Sequence, residues 1–177
     1  MVRLRHYDDI GTARFVTVAC HRRLHLLTHG RDITDVLEEI ESARRRYGFL
    51  ILGYVVMPNH FHVVLLPKRP IKAGRVIGEI KSKSARKILS RWRTADVRDL
   101  RRLQVIRDGK PRVVFWLRRC YDHNCRTLED VREKIEYCHM NPVRGGLVVH
   151  PGQWRWSSFG WYCGSDKGPI SVDPISL

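Results

Sequence analysis

The stretch Val56–Leu66, VMPNHFHVVLL, decides the reading of the chain. Met57-Pro58-Asn59 is turn chemistry between two apolar runs, so it separates two neighbouring strands. In a strand, residues two apart point to the same face. His60 and His62 therefore lie side by side on one surface, while Phe61, Val63 and Leu65 point to the other. The apolar set asks for burial. The two imidazoles ask for a partner, because an unsatisfied polar group on a buried face is costly. Two readings follow: a half-site for a divalent ion, which imidazole suits, or a polar, half-exposed strand face.

Working outward, FLILGYVVM reads as the strand before the turn and FHVVLLP as the strand after it, closed by Pro67 and Pro70. ARFVTVAC, from Ala13, alternates and reads as a first strand. Between them, Asp32 to Tyr47 carries Ile33, Val36, Leu37, Ile40 and Ala43 at helical spacing, with acids early, arginines late and Gly48 as the stop. A second, strongly basic helix is expected from Ile71 to Trp92, its buried stripe being Val76, Ile77, Ile80, Ala85, Ile88 and Leu89. Thr94 to Pro111 fits helix, strand or a loop ordered by a partner, and RVVFWLRRCYD reads as one further strand. TLEDVREKIEYCHM is a helix with a capping box between Thr127 and Asp130, stopped by Asn141-Pro142. The order β-α-β-β-α-β-α implies an α+β domain, an antiparallel sheet with helices packed on one face. One domain over 1–177 is expected, with an aromatic tail from about 151 packed over it.

The formal net charge of +15 on 177 residues points to a polyanionic partner, most simply nucleic acid. Lys81, Lys83, Arg86 and Lys87 on the basic helix, and Arg118, Arg119 and Arg144 later, are the candidate phosphate contacts. His123 and His139 flank the site in sequence, and Trp154 and Trp156 fit either base stacking or core packing. No run of eighteen apolar residues and no signal peptide is present, so a cytoplasmic protein without a membrane partner is expected, nucleoid-associated if prokaryotic. Five cysteines without a CxxC pair read as free thiols.

Tyr137 and Asn141 are four residues apart and share a helix face. Tyr137 fits a core aromatic as well as a nucleophile. In the second case, attack on a phosphodiester leaves a phosphotyrosine and a free 3′-hydroxyl, and a metal held by the histidines and the Asn141 amide oxygen would polarise the phosphate.

YVVMPNHFHVVLLP, FWLRRCYDHN, YCHMNPVRGGLV and WRWSSF, in this order, resemble the single-tyrosine HUH transposases of the insertion-sequence and REP-associated type. His60-Phe61-His62 matches the His–hydrophobe–His motif that names them. The basic insert around Arg91 to Arg112 and the aromatic tail resemble the REP-associated branch. The resemblance implies a ferredoxin-like fold, Tyr137 as nucleophile, and Mg2+ or Mn2+ on His60, His62 and Asn141. It also implies nicking and rejoining of single-stranded DNA at hairpin-marked ends through a 5′-phosphotyrosine, and a homodimer in some arrangements. A non-catalytic or domesticated protein that binds DNA or RNA hairpin repeats is the alternative.

Overall fold

The structure is a computed structural model describing residues 12–68, 72–95, 98–164 and 168–173. The expected roles of Pro70 and Ile71 therefore lie outside the described residues. Strands β1 (Ala13–Ala19), β2 (Phe49–Met57), β3 (His60–Pro67) and β6 (Tyr121–Cys125) form one sheet in the order β2-β3-β1-β6, every pair antiparallel. Two short strands, β4 (Gln104–Arg107) and β5 (Lys110–Val113), make a separate ribbon.

The central strand β3 sorts its side chains as its period dictates. Phe61, Val63 and Leu65 join Val16, Val18, Ile51, Tyr54 and Val56 in the larger core, under helices α1 (Gly30–Tyr47) and α2 (Ala73–Thr94). Val64 faces the opposite way, with Ala13, Phe15, Leu52, Val55 and Met57, against Val131, Ile135 and Cys138 of α3 (Leu128–Arg144). The α+β class holds, but helices cover both faces, not one. An apolar stripe shows that a helix packs without showing on which side of the sheet.

A register shift between Ile51 and Gly53 re-aims β2 beneath α3. A Cβ at Gly53 would come within 3.1 Å of Ile135 Cγ1, so the glycine lets the helix approach the strand. Helix α3 starts at Thr127, whose side chain accepts from the Asp130 backbone N–H while Asp130 accepts in return. It does not stop at Asn141-Pro142. It runs to Arg144, because Asn141 and Pro142 are both buried and packing outweighs the proline's local bias.

The expected single strand over 112–122 is also broken. Its ends belong to β5 and β6, while Phe115 and Trp116 leave the ladder to enter the larger core. Beneath α2, Asp32, Asp35 and Glu39 of α1 are buried and paired: Arg91 with both aspartates, Lys87 with Glu39. The tail lies along the outer edge of β2. Trp156 O accepts from Val56 N at 2.9 Å, Ser158 N donates to Tyr54 O at 3.0 Å, and Asp173 N donates to Ile51 O at 2.7 Å. An open edge is thereby closed, and the short helix α4 (Phe159–Tyr162) rests beside it. Among the described residues no helix is long and apolar enough to cross a membrane.

Candidate active site

His60 and His62 stand on the α3 face of β3 with their Nε2 atoms 3.0 Å apart. Each ring is held from behind. His60 Nδ1 lies 2.5 Å from Asn59 Oδ1, an acceptor, so that nitrogen carries the proton. His62 Nδ1 lies 2.8 Å from the Thr17 hydroxyl, supplied by the directly opposed residue of β1. The Thr17 oxygen can accept from that nitrogen, and in the tautomer with both Nδ1 atoms protonated two Nε2 lone pairs face one another. Burial lowers the pKa of both rings, that of His62 to about 3 with His60 adding to the effect, so both imidazoles are neutral near pH 7. Nearby Arg23 lowers His60 further, against a hydrogen bond to Asn141 that raises it.

The Asn141 amide reaches into the same space, its Nδ2 lying 3.3 Å from His62 Nε2. A half-turn of that amide exchanges nitrogen for oxygen without moving the helix. Two neutral imidazoles and an amide oxygen fit one divalent cation. Two ligands at about 2.1 Å from an ion, at a right angle, stand about 3 Å apart, which matches the observed Nε2 separation. Fixing each ligand's far nitrogen is the arrangement that metal-binding histidines use. Among the described residues no cluster of three or more His, Cys, Asp or Glu could hold a metal instead.

Helix α3 brings Tyr137 to the same place. Its ring meets His62 edge-on with centroids 5.3 Å apart and Phe15 at 5.7 Å. Arg144, two turns on, lies over the ring at 5.3 Å. Tyr137 is 36 % exposed, and its hydroxyl takes no hydrogen bond from any described residue. A phenol with a satisfied hydroxyl in the core, the plainer expectation, does not describe it. A cleft of about 290 Å³ opens here, lined by His25, Asn59, His60, Tyr137, Asn141 and Arg144 among others.

The other sequence candidates scatter. Arg144 borders the cleft, but Lys81, Lys83, Arg86 and Lys87 sit on α2, across the sheet from the histidine pair. Lys83 is paired with Glu79 at 2.6 Å and Lys87 with Glu39 at 2.6 Å, while Lys81 Nζ donates to Arg118 O at 2.9 Å. Arg86, Arg118 and Arg119 are exposed, and none of the three pairs with a described carboxylate. His123 stacks on Tyr121, and His139 is buried with Nε2 2.9 Å from Ser158 Oγ. Trp154 donates to Val56 O and Trp156 packs against the larger core, so both serve packing. Thr17, Asn59 and Arg23 escaped sequence reading. Asn59, directly before the histidines, carried a signal in its position; Thr17 needed the strand register.

Comparisons with known proteins bear on the family and the fold. The family model described as "Transposase IS200 like" matches residues 11–102, which include the histidine pair and end before α3. A REP-associated tyrosine transposase of Escherichia coli is 26 % identical over 156 residues, covering 88 % of this chain and 80 % of its own. A Haemophilus influenzae protein assigned to the same group is 25 % identical over 132 residues, 72 % of this chain and 70 % of that one. The solved structure of a REP-associated tyrosine transposase bound to a REP hairpin shares the fold, with a TM-score of 0.69 at 23 % identity. That match covers 100 % of this chain and 95 % of the other. With more than half its length matched, and with the histidine-bearing sheet inside the match, the chain belongs to the IS200-like transposase family.

Proposed function

We propose that the protein nicks and rejoins single-stranded DNA beside hairpins, using Tyr137 as nucleophile and Mg2+ or Mn2+ held by His60, His62 and Asn141. The observation that carries this reading is the convergence of two Nε2 lone pairs beside a hydroxyl that has no described partner. A cation bound there supplies Lewis acidity to a phosphate oxygen and offsets charge that develops on it. The protein's own groups do the rest. Asn59 and Thr17 hold the far nitrogens of the imidazoles, and the scissile phosphate would sit in the cleft lined by His60 and Tyr137.

In the reaction, Tyr137 Oη forms a bond to phosphorus as the bond to the 3′-oxygen breaks. The phenolic proton is lost to solvent and the departing oxygen takes one up, leaving a 3′-hydroxyl and a 5′-phosphotyrosine. Joining is the reverse with another 3′-hydroxyl, so one phosphoester replaces another and no nucleotide cofactor is needed. The Arg144 guanidinium over the Tyr137 ring, at the border of the cleft, stands ready for the phosphate. His60, His62, Asn141 and Tyr137 meet within one chain, an arrangement compatible with a monomer and with a homodimer.

A hairpin-binding protein without chemistry would leave the facing imidazoles unexplained. The test is a labelled hairpin oligonucleotide with a single-stranded flank, incubated with protein and Mn2+ and run on a denaturing gel. A covalent adduct that disappears with chelator and in Tyr137→Phe is expected. An adduct that survives in Tyr137→Phe contradicts the assignment of the nucleophile.

A further inference from the structure

The β4–β5 ribbon has no role in the cleft, yet it concentrates unneutralised charge. Its strands pair Val105 with Arg112, Ile106 with Pro111, and Arg107 with Lys110, across the Asp108-Gly109 turn. Both turn residues have positive φ, 51° and 68°, the primed-turn geometry that lets a two-residue hairpin keep a right-handed twist. Opposed residues share a face and faces alternate along each strand. Arg107, Lys110 and Arg112 therefore project from one side, with Val105, while Gln104, Ile106, Pro111 and Val113 occupy the other. None of the three cations pairs with a carboxylate among the described residues, and all three are exposed.

Among the described residues the ribbon is anchored at its root. Leu103 is fully buried, Val114 N donates to Leu103 O at 2.9 Å, and Phe115 and Trp116 enter the core behind it. Beyond the root it stands in solvent, with Ile106 72 % exposed, the most exposed large apolar residue of the ribbon. The root is also tied to the active-site turn. His21 N donates to Phe115 O at 2.7 Å, Cys20 N to Asn59 O at 2.8 Å, and Leu27 N to Pro58 O at 2.8 Å. Between these bonds Arg22 and Arg23 both hold φ near 53°, a left-handed conformation that non-glycine residues seldom adopt in succession. Arg107, Lys110 and Arg112 stand on the ribbon, Arg22 and Arg23 on the loop bonded to its root, and Arg144 lines the cleft. Cationic groups thus follow one another from ribbon to loop to cleft.

We propose that the cationic face of the β4–β5 ribbon grips the base-paired stem of a DNA hairpin in its major groove, with the Arg22-Arg23 loop leading the adjoining single strand to Tyr137. The inference rests on the function proposed above and adds the element that holds the stem. Two strands about 4.8 Å apart, with their side chains, fill a B-form major groove about 12 Å wide. The deep, narrow major groove of A-form RNA does not admit them. Three cations meet phosphates across the groove.

Fluorescence anisotropy of a labelled DNA hairpin, titrated with full-length protein at several salt concentrations, tests this. Arg107→Ala/Lys110→Ala/Arg112→Ala should bind at least about tenfold more weakly near 0.1 M salt. Its log K against log salt slope should flatten by about 2 to 3, since each phosphate contact contributes about 0.9. Wild-type protein should protect guanine N7 in the stem from dimethyl sulfate and the triple variant should not. Arg107→Lys/Arg112→Lys, which keeps charge and ribbon, should retain the slope; a slope lost there too would point to a damaged ribbon and overturn the electrostatic account. An unchanged slope in the triple variant, or an RNA hairpin bound as tightly through the same three residues, also overturns the proposal. Failure of Tyr137 to form an adduct, with stem binding still dependent on the ribbon, removes the catalytic reading and leaves this one standing.

Discussion

The two faces of the central sheet are built from the same strands to opposite ends. The face under α1 and α2 is dry, and its charges are cancelled in place: Asp32 and Asp35 by Arg91, Glu39 by Lys87, Glu79 by Lys83. The face under α3 has a smaller apolar core and leaves its polar groups uncancelled, with two neutral imidazoles, an amide and a phenol at an open cleft. One strand, β3, serves both through residues one apart. A sheet with a saturated face can carry an unsatisfied one, because the first supplies stability and leaves the second free for the chemistry proposed above.

The sharpest break in that contrast is Tyr137→Phe. Adduct formation should fall by at least about a thousandfold, since the nucleophilic oxygen is gone. Thermal stability should move by no more than about 0.5 kcal/mol, as for most exposed positions. A calorimetric scan beside the cleavage assay checks both. On the opposite face, Phe61→Ala should cost about 3–5 kcal/mol, because a fully buried ring stacked edge-on to Trp116 leaves a cavity. At low temperature its remaining folded protein should still nick. Nicking lost without unfolding would show that the two faces are not separable.

That division was partly legible in the sequence. The period-2 pattern of His60 to Leu65 placed the histidines and their hydrophobic neighbours on opposite faces, and the capping box at Thr127 located the helix that carries Tyr137. Placing α3 across the sheet from α1 and α2 was beyond it, because periodicity defines a buried stripe and not its partner. The strand expected over 112–122 failed for a related reason. Phe115 and Trp116 are apolar because they plug the core from an irregular segment, whereas the polar strand β6 pairs only with β1 and carries Asp122 for a buried pair with Arg14. The basic stripe of α2 read as a DNA surface, but part of it answers acids on α1 that the helix dipole alone had seemed to explain. Thr17 became visible only once β1 and β3 were in register.

Smaller effects sharpen the comparison further. Arg91→Ala leaves Asp32 and Asp35 buried without their main cation, and should destabilise by about 3 kcal/mol while leaving metal affinity intact. Thr17→Val should do the reverse, lowering Mn2+ affinity about tenfold by titration calorimetry with little change in melting temperature. Thr127→Ala should cost about 1 kcal/mol through the lost cap of α3. Asp130, held below the usual carboxyl range by the Arg126 and Thr127 backbone N–H groups, contributes above its unfolded pKa. That contribution should fade as pH falls through the lowered folded value, visible as an acid-side drop in melting temperature that Asp130→Asn removes.

The most direct test of the α3 face as a catalytic site is the chemistry and address of the covalent bond. A hairpin oligonucleotide labelled at its 3′ end should leave its label on the protein, and one labelled at its 5′ end should release a free fragment ending in a 3′-hydroxyl. After trypsin, mass spectrometry should find the nucleotide on the peptide Ile135–Arg144, whose only tyrosine is Tyr137. A nucleotide on any other peptide, or a label retained from the 5′ end, would contradict the account.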